Sequence, residues 1–118
     1  MIKANKTYDL EERTAKFAEE IVELCIKRSK QTLTRPIIDQ LIRSGTSIGA
    51  NYTEANGASS KKDFRNKIFI CKKESKETMY WLRLLAKADD ELRDHCKLLW
   101  KEAHELTLIF SKIASNTN

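Results

Sequence analysis

The sequence contains few of the residues that interrupt regular secondary structure, since its 118 residues include only three Gly and one Pro. A chain of short β-strands needs such residues at its turns, so this scarcity disfavours an all-β fold. Hydrophobic residues make up 41% of the chain and charged residues 33%, a balance that suits long amphipathic helices. The composition therefore predicts an all-α protein.

Long apolar runs are also absent. Nowhere does the chain approach the roughly 18 consecutive apolar residues of a transmembrane helix. The N-terminus turns polar directly after Ile2 and has no signal-peptide core. We therefore expect a cytoplasmic protein with no membrane partner.

The residue patterns of common enzyme and metal sites are missing as well. Cys25, Cys71 and Cys96 form no CxxC pair and are expected to be buried thiols. Neither His95 nor His104 follows a Glu by three residues, as the di-iron sites of four-helix bundles require. Glycine-rich phosphate loops and zinc-ligand spacings do not occur. The sequence predicts a protein that is not an enzyme and that binds no metal or cofactor.

Four segments carry apolar residues at intervals of three and four, as amphipathic helices do. Their predicted bounds are about residues 9–30, 35–57, 61–87 and 90–114. Helices of this length joined by short links pack as antiparallel neighbours. The whole chain, 1–118, is therefore predicted to form a single domain, an antiparallel up-and-down four-helix bundle.

Local signals support the starts of these helices. Asp9 and Ser60 are typical N-cap residues, and Pro36 is tolerated in a first helical turn. Asp89 and Asp90 end the third segment and supply negative charge at the start of the fourth, where the helix dipole favours it.

Two glycines lie within the apolar stripe of the second segment. Gly45 and Gly49 each cost up to about 1 kcal/mol relative to Ala inside a helix, so their position needs a physical reason. Close approach of a neighbouring helix is the simplest one, and we predict it at this turn.

Three motifs in the middle of the chain resemble those of a known family. The sequence reads RSGTSIGANYTEA at 43–55, DF at 63–64 and KESKETMYWL at 73–82. These stretches resemble the bacterial four-helix-bundle proteins encoded in intervening sequences of 23S ribosomal RNA genes, whose signature is approximately RSGTSIGAN-x-x-EA, DF and KE-x-x-ET-x-YWL. A related branch includes the accessory protein of diversity-generating retroelements, a basic barrel that engages nucleic acid and a reverse transcriptase.

The resemblance implies a ring-forming helical bundle, typically a homopentamer, without enzymatic activity. It also implies the classes of partner to consider, which are further copies of the chain, RNA or DNA, and a partner protein. The label of a ribosomal protein rests on the location of such genes and does not define a function.

Positive charge is concentrated in one part of the third segment. Residues 61–76 carry seven Lys or Arg against two Asp or Glu, an excess equal to the net charge of +5 of the whole chain. On a helical wheel four of the basic residues fall within about 60° of one another, with two more just beyond. The candidate nucleic-acid-binding residues are Lys61, Lys62, Arg65, Lys72, Lys73 and Lys76. A stripe of this kind binds phosphates or is simply a solvated helix face, and both readings remain open.

The third segment is apolar beyond its core stripe. Phe69, Ile70 and Trp81 point away from the line of predicted core residues, and Tyr80 lies beside them. Large exposed apolar patches usually mark interaction surfaces, so these four residues are the candidate oligomer interface. The alternative is a set of scattered surface hydrophobes.

A polar face lies opposite the apolar stripe of the second segment. Its members and the acidic residues they could reach are the candidate polar network: Arg43, Ser47, Asn51, Glu54, Glu74 and Glu77. We favour a network that links helices or subunits, with Arg43 binding one of the three carboxylates in bidentate fashion, over a binding pocket.

Two functional hypotheses follow. The first is a non-enzymatic homo-oligomer that binds RNA or DNA through basic surface residues. The second is a protein-interaction scaffold with no nucleic-acid role.

Overall fold

The computed structural model describes residues 10–27 and 31–117. Within these ranges the chain forms four α-helices and no strand. The helices are α1 (Leu10–Ile26), α2 (Arg35–Asn56), α3 (Lys61–Ala88) and α4 (Arg93–Asn116), and one 3-10 turn (Asp90–Leu92) precedes α4. The all-α fold and the four-helix bundle predicted from the sequence are confirmed.

Helix starts follow the local signals of the sequence where the structure describes them. Pro36 lies in the first turn of α2, and the Ser60 hydroxyl accepts a hydrogen bond from the Asp63 amide at 3.0 Å at the start of α3. Asp89 caps the 3-10 turn by accepting from the Glu91 amide at 3.1 Å, so α4 begins three residues later than predicted. The predicted cap at Asp9 lies outside the described residues.

The helices pack around one apolar core. Helix α3 packs extensively against both α2 and α4, while α1 packs mainly against α2 and touches α4 less. The largest fully buried apolar side chains come from all four helices: Leu10, Phe17, Ile21, Leu24, Leu41, Ile48, Ile68, Leu82, Leu85, Leu106 and Phe110. Each such side chain contributes about 1.5–3 kcal/mol relative to an exposed position, so the core is the main source of stability.

The two helical glycines lie where α1 approaches α2. A Cβ atom added at Gly45 would lie 3.0 Å from Ile21 Cγ1, and one at Gly49 would lie 3.3 Å from Thr14 Oγ1. Both distances are shorter than ordinary van der Waals contact. The close helix approach predicted from the glycine spacing is thus present, and the neighbour is α1.

Small polar residues fill the contact between α2 and α3. The hydroxyls of Ser44 and Thr78 are both buried and lie 3.0 Å apart, and Thr78 also donates to the Glu74 carbonyl at 2.7 Å. Ser75, likewise buried, donates to the Cys71 carbonyl at 2.8 Å. Because these hydroxyls find partners in the helices themselves, their burial carries little desolvation cost.

The three cysteines are buried and unpaired by disulfides, as the sequence predicted. Burial raises the pKa of the Cys25 and Cys71 thiols to about 12 and that of the Cys96 thiol to about 11. The thiols therefore remain protonated, weakly nucleophilic core residues near neutral pH. Among the described helices, none is long and apolar enough to cross a membrane.

Candidate nucleic-acid interface

The basic stripe of α3 faces the α4 side of the bundle. Arg65 sets this direction, because its Nε donates to the Ala114 carbonyl near the end of α4 at 3.3 Å. On the helix, this side continues beyond the predicted stripe to Arg83 and Lys87, within about 80° in total. The six basic residues on this side are called the basic flank: Lys61, Arg65, Lys72, Lys76, Arg83 and Lys87.

The other two candidate basic residues lie elsewhere on α3. Lys62 and Lys73 are exposed and fall further round the helix, toward the face that points directly away from the core. Lys67, which the charged window also includes, turns toward α2 and forms an ion pair with Glu54 at 2.7 Å. The basic residues of 61–76 therefore point in three directions: along the basic flank, away from the core, and toward α2. The basic flank holds most of them.

Arg65 is held more firmly than its neighbours. Its side chain is half-buried, its guanidinium carbon lies 4.9 Å from the centre of the Phe69 ring, and it bonds to Ala114. Lys61, Lys72 and Lys76 have no carboxylate within ion-pair distance among residues 10–27 and 31–117. These lysines are thus available for an anionic partner, while Arg65 also joins α3 to α4.

An apolar groove lies beside the basic flank, between α3 and α4. Its volume is about 360 Å³, and its lining residues are Leu82, Arg83, Ala86, Cys96, Lys97 and Trp100. Trp100 forms one side of the groove and stacks on His104 with ring centres 5.2 Å apart.

Sequence reasoning missed Arg83, Lys97 and Trp100 as site residues. Basic residues recur at alternating intervals of four and seven from Lys61 to Lys87, and this pattern could have identified Arg83. The two α4 residues could be placed only from the way α4 packs along α3.

The acidic residues of α3 and α4 turn away from this surface. Glu74 and Glu77 pair with Arg43 of α2, whereas Glu102 and Glu105 pair with Arg13 of α1. By helical position, the two other carboxylates of α3 and α4, Asp63 and Asp94, also fall outside the flank and the groove. The flank and groove together form a surface that carries positive charge without carboxylates of these two helices.

The candidate polar network is centred on Arg43. One of its terminal nitrogens lies 3.3 Å from Glu74 Oε1 and 3.4 Å from Oε2, and the other contacts Glu77. The hydrogen bond to Glu77 is the main cause of the raised pKa of Arg43. The pKa of Glu77 is lowered, first by the hydrogen bond from the Trp81 indole at 3.0 Å and then by Arg43.

The other candidate members of that network do not contact the Arg43 guanidinium. Ser47 donates to the Arg43 carbonyl at 2.6 Å and Asn51 donates to the Ser47 carbonyl at 2.8 Å, so both bond within α2. Glu54 binds Lys67 instead of Arg43. The ionic contacts of this face thus link α2 to α3 within one chain.

The four candidate interface residues divide into two pairs on the outward face of α3. Phe69 and Tyr80 are 41% and 55% exposed, on the side nearer the basic flank. Ile70 and Trp81 are half-buried on the side nearer α2, where Trp81 packs against the core and bonds Glu77. The sequence predicted that Trp81 points away from the core, yet the neighbouring core and the Glu77 carboxylate cover part of its side chain.

Further exposed apolar residues occur on α4, at Leu98 and Leu108. No group of three or more potential metal ligands occurs among the described residues.

A separate cleft of about 280 Å³ lies at the ion pair between α1 and α4 and is lined by Arg13, Lys16, Phe17, Glu20 and Glu102. Its two carboxylates and two cations balance, so it does not extend the positive surface.

Comparison with known proteins accounts for the motifs of the central helices. A family model described as 23S rRNA-intervening sequence protein matches residues 6–112. The chain belongs to this family. A solved structure of a protein of unknown function from the S23 ribosomal protein family of Bacteroides thetaiotaomicron is 35% identical, with a TM-score of 0.81. The match covers 88% of this chain and 96% of that one.

The resemblance to the intervening-sequence family is therefore confirmed, whereas the relation to retroelement accessory proteins stays a prediction. No curated protein matches the chain. Neither the family description nor that of the solved structure names an enzymatic activity.

In this member of the 23S rRNA-intervening sequence family, several motif residues have packing roles. Gly45 and Gly49 admit α1, Ser44 contacts Thr78 of α3, and Arg43 binds Glu74. The motif residues thus bring α1 and α3 against α2. The basic flank lies mostly outside these motifs.

Proposed function

We propose that this protein is a non-enzymatic, homo-oligomeric accessory protein that binds RNA or DNA through the basic flank of α3. The observation that carries the proposal is the alignment of six Lys and Arg along one side of a helix whose acidic residues all turn elsewhere. At 1.5 Å per residue the flank extends about 39 Å from Lys61 to Lys87, long enough to contact several successive phosphates. Neutralising phosphates releases counterions, which favours binding without reading the base sequence.

Membership of the intervening-sequence family makes the 23S rRNA region a natural RNA to test, and a cytoplasmic location is proposed with it. By resemblance, the oligomer is proposed to be a pentamer. Repetition of the flank around a ring would let a long nucleic acid engage several subunits at once and gain avidity.

The experiment is a binding titration of the purified protein with labelled RNA and DNA at several salt concentrations. A steep fall of affinity with salt supports the proposal. Purification at moderate salt gives a preliminary readout, because a nucleic-acid binder retains excess absorbance near 260 nm. Absence of binding at low salt would contradict the proposal.

A second function is supported by a different observation. Phe69 and Tyr80 are exposed on the outward face of α3, together with exposed leucines on α4. This apolar area supports a scaffold that binds a partner protein and has no nucleic-acid role. A chain that binds no nucleic acid and still assembles would favour this alternative.

A further inference from the structure

The groove between α3 and α4 combines features that a phosphate-binding surface alone does not need. Its floor is apolar, since Leu82 and Cys96 are buried, and the indole of Trp100 forms one side while still 36% exposed. Arg83 and Lys97 are exposed at its rim, one from each helix. An apolar floor with a cationic rim is complementary to a flat ring that carries a phosphate.

The size of the groove limits what can enter it. A volume of about 360 Å³ lies at the lower end of the range for small-ligand sites, about 300–1,000 Å³. Packed helices lie about 8–10 Å apart, so a depression between two of them admits a single ring system but not a double helix. An unpaired base reaches the floor without the energetic cost of breaking a base pair, so the groove favours a single strand over a duplex.

The position of the groove links it to the basic flank. Arg83 belongs to both, and Lys76 precedes it by two helical turns on the same side of α3. A nucleic-acid backbone that follows the flank therefore passes the groove at Arg83. Proteins that bind single strands commonly pair a basic track with an aromatic side chain on which a base stacks.

We propose that the α3–α4 groove binds an unpaired base of a single-stranded nucleic acid, stacked against Trp100, while the phosphates follow the basic flank. This inference rests on the proposed function and names its ligand class, which is single-stranded RNA or DNA in preference to duplex.

The first experiment uses the Trp81→Phe chain, in which Trp100 is the only remaining tryptophan of the two. Addition of an oligothymidylate of about 20 nucleotides is expected to quench the Trp100 fluorescence, whereas a duplex of equal length leaves it unchanged. Affinities for both ligands are measured in parallel by anisotropy of a labelled strand.

The second experiment removes the ring or fills the groove. Trp100→Leu is expected to weaken single-strand binding by about 5- to 150-fold, the effect of one lost stacking contact, while duplex binding changes little. Ala86→Leu should fill the groove and give the same selective loss without touching Trp100. Tyr80→Leu, which removes an exposed aromatic ring that does not line the groove, is the control. Circular dichroism and sedimentation verify that each variant keeps its fold and its assembly state.

The outcomes separate the two proposals. Salt-dependent binding of single strand and duplex with equal affinity, without quenching of Trp100, would overturn the base site and leave the proposed function intact. Absence of any binding by the wild type would overturn both. Trp100 fluorescence that changes with protein concentration alone would show that a second copy of the chain covers the groove, and the base site would again be wrong.

Discussion

At two glycine positions of α2, the contact with α1 limits the size of the side chain that fits. Gly45 and Gly49 weaken α2 as an isolated helix, yet the space that each leaves is taken by α1. The two sites also differ, because Ile21 approaches Gly45 more closely than Thr14 approaches Gly49.

Replacing Gly49 with Leu is expected to destabilise the protein. Overpacking against Thr14 costs about 1–3 kcal/mol, and the better helix propensity of Leu returns at most about 1 kcal/mol. Gly45→Leu should cost more than Gly49→Leu because its Cβ meets Ile21 at 3.0 Å. Urea unfolding midpoints measure both effects.

Ala50→Leu is the control for these variants. Ala50 is the next residue along α2 and is exposed, whereas an added Cβ at Gly49 meets Thr14 of α1. Its midpoint should change little. Unchanged midpoints for the two glycine variants would show that α1 yields at this contact.

Glu77 predicts a measurable pH dependence. Its pKa is lowered in the folded protein by the hydrogen bond from Trp81 and by Arg43, so its contribution to stability is present above the unfolded pKa. That contribution is lost as the pH falls through the lowered folded value. Because the group is partly exposed, we expect a cost of no more than about 1 kcal/mol for Glu77→Gln at pH 7.

The free energy of unfolding of wild type and Glu77→Gln, measured by urea at pH 7 and at about pH 3, tests this sign. The difference between the two proteins should shrink at the lower pH, where the wild-type carboxyl also becomes protonated. A difference that persists unchanged at low pH would show that Glu77 acts through packing rather than through its charge.

At the scale of elements, α3 carries three surfaces on one helix. Its core stripe packs against the other helices, its acidic residues bond Arg43 of α2, and its basic flank borders α4. The contacts of α3 with α2 and α4 give each surface its direction, and the flank can be tested without disturbing the other two.

Changing Lys72 and Lys76 to Gln is expected to reduce the slope of log K against log salt by about 1.5–2 units, because each lysine that contacts a phosphate releases roughly one counterion. Nucleic-acid binding measured at four or more salt concentrations gives the slope. Both lysines carry no ion pair among the described residues, so their loss should leave the stability nearly unchanged.

The matched control is Lys16→Gln with Lys112→Gln, which alters the net charge equally on α1 and on another face of α4. Lys97 is unsuitable as a control, because it lies at the rim of the groove beside Arg83. Equal losses in the two double variants would show that binding follows net charge and not the flank.

At the scale of the whole molecule, the outward face of α3 predicts assembly. Sedimentation equilibrium at micromolar concentration should give a mass well above the 13.7 kDa of one chain, and five times that value if the ring is a pentamer. Tyr80→Glu places a charge in the proposed interface and should lower the mass. Leu33→Glu, at a site 91% exposed outside α3, should not.

A mass of one chain for the wild type would contradict the proposed interface. A dimer or a hexamer would contradict the pentamer alone. Assembly that survives Tyr80→Glu would direct attention to the exposed leucines Leu98 and Leu108 of α4.

Much of the fold was determined by local patterns in the sequence. Apolar residues at intervals of three and four predict which face of each helix is buried, and Ser60 and Pro36 mark helix starts, because both effects act within a few residues of the chain. The 3-10 turn before α4 was not predicted. Asp89 caps this turn, but an Asp at this position is equally suitable as the N-cap of an α-helix, so the sequence does not distinguish the two.

The sequence by itself also determined where positive charge is concentrated and that two glycines need a close neighbour. Only the tertiary structure decided which neighbour that is, which carboxylates Arg43 binds, and that Lys97 and Trp100 meet Arg83. The physical reason is that charge and periodicity are properties of one helix, whereas a groove depends on the relative register and rotation of two. Those quantities come from the packing of the whole core and are not present in any single segment.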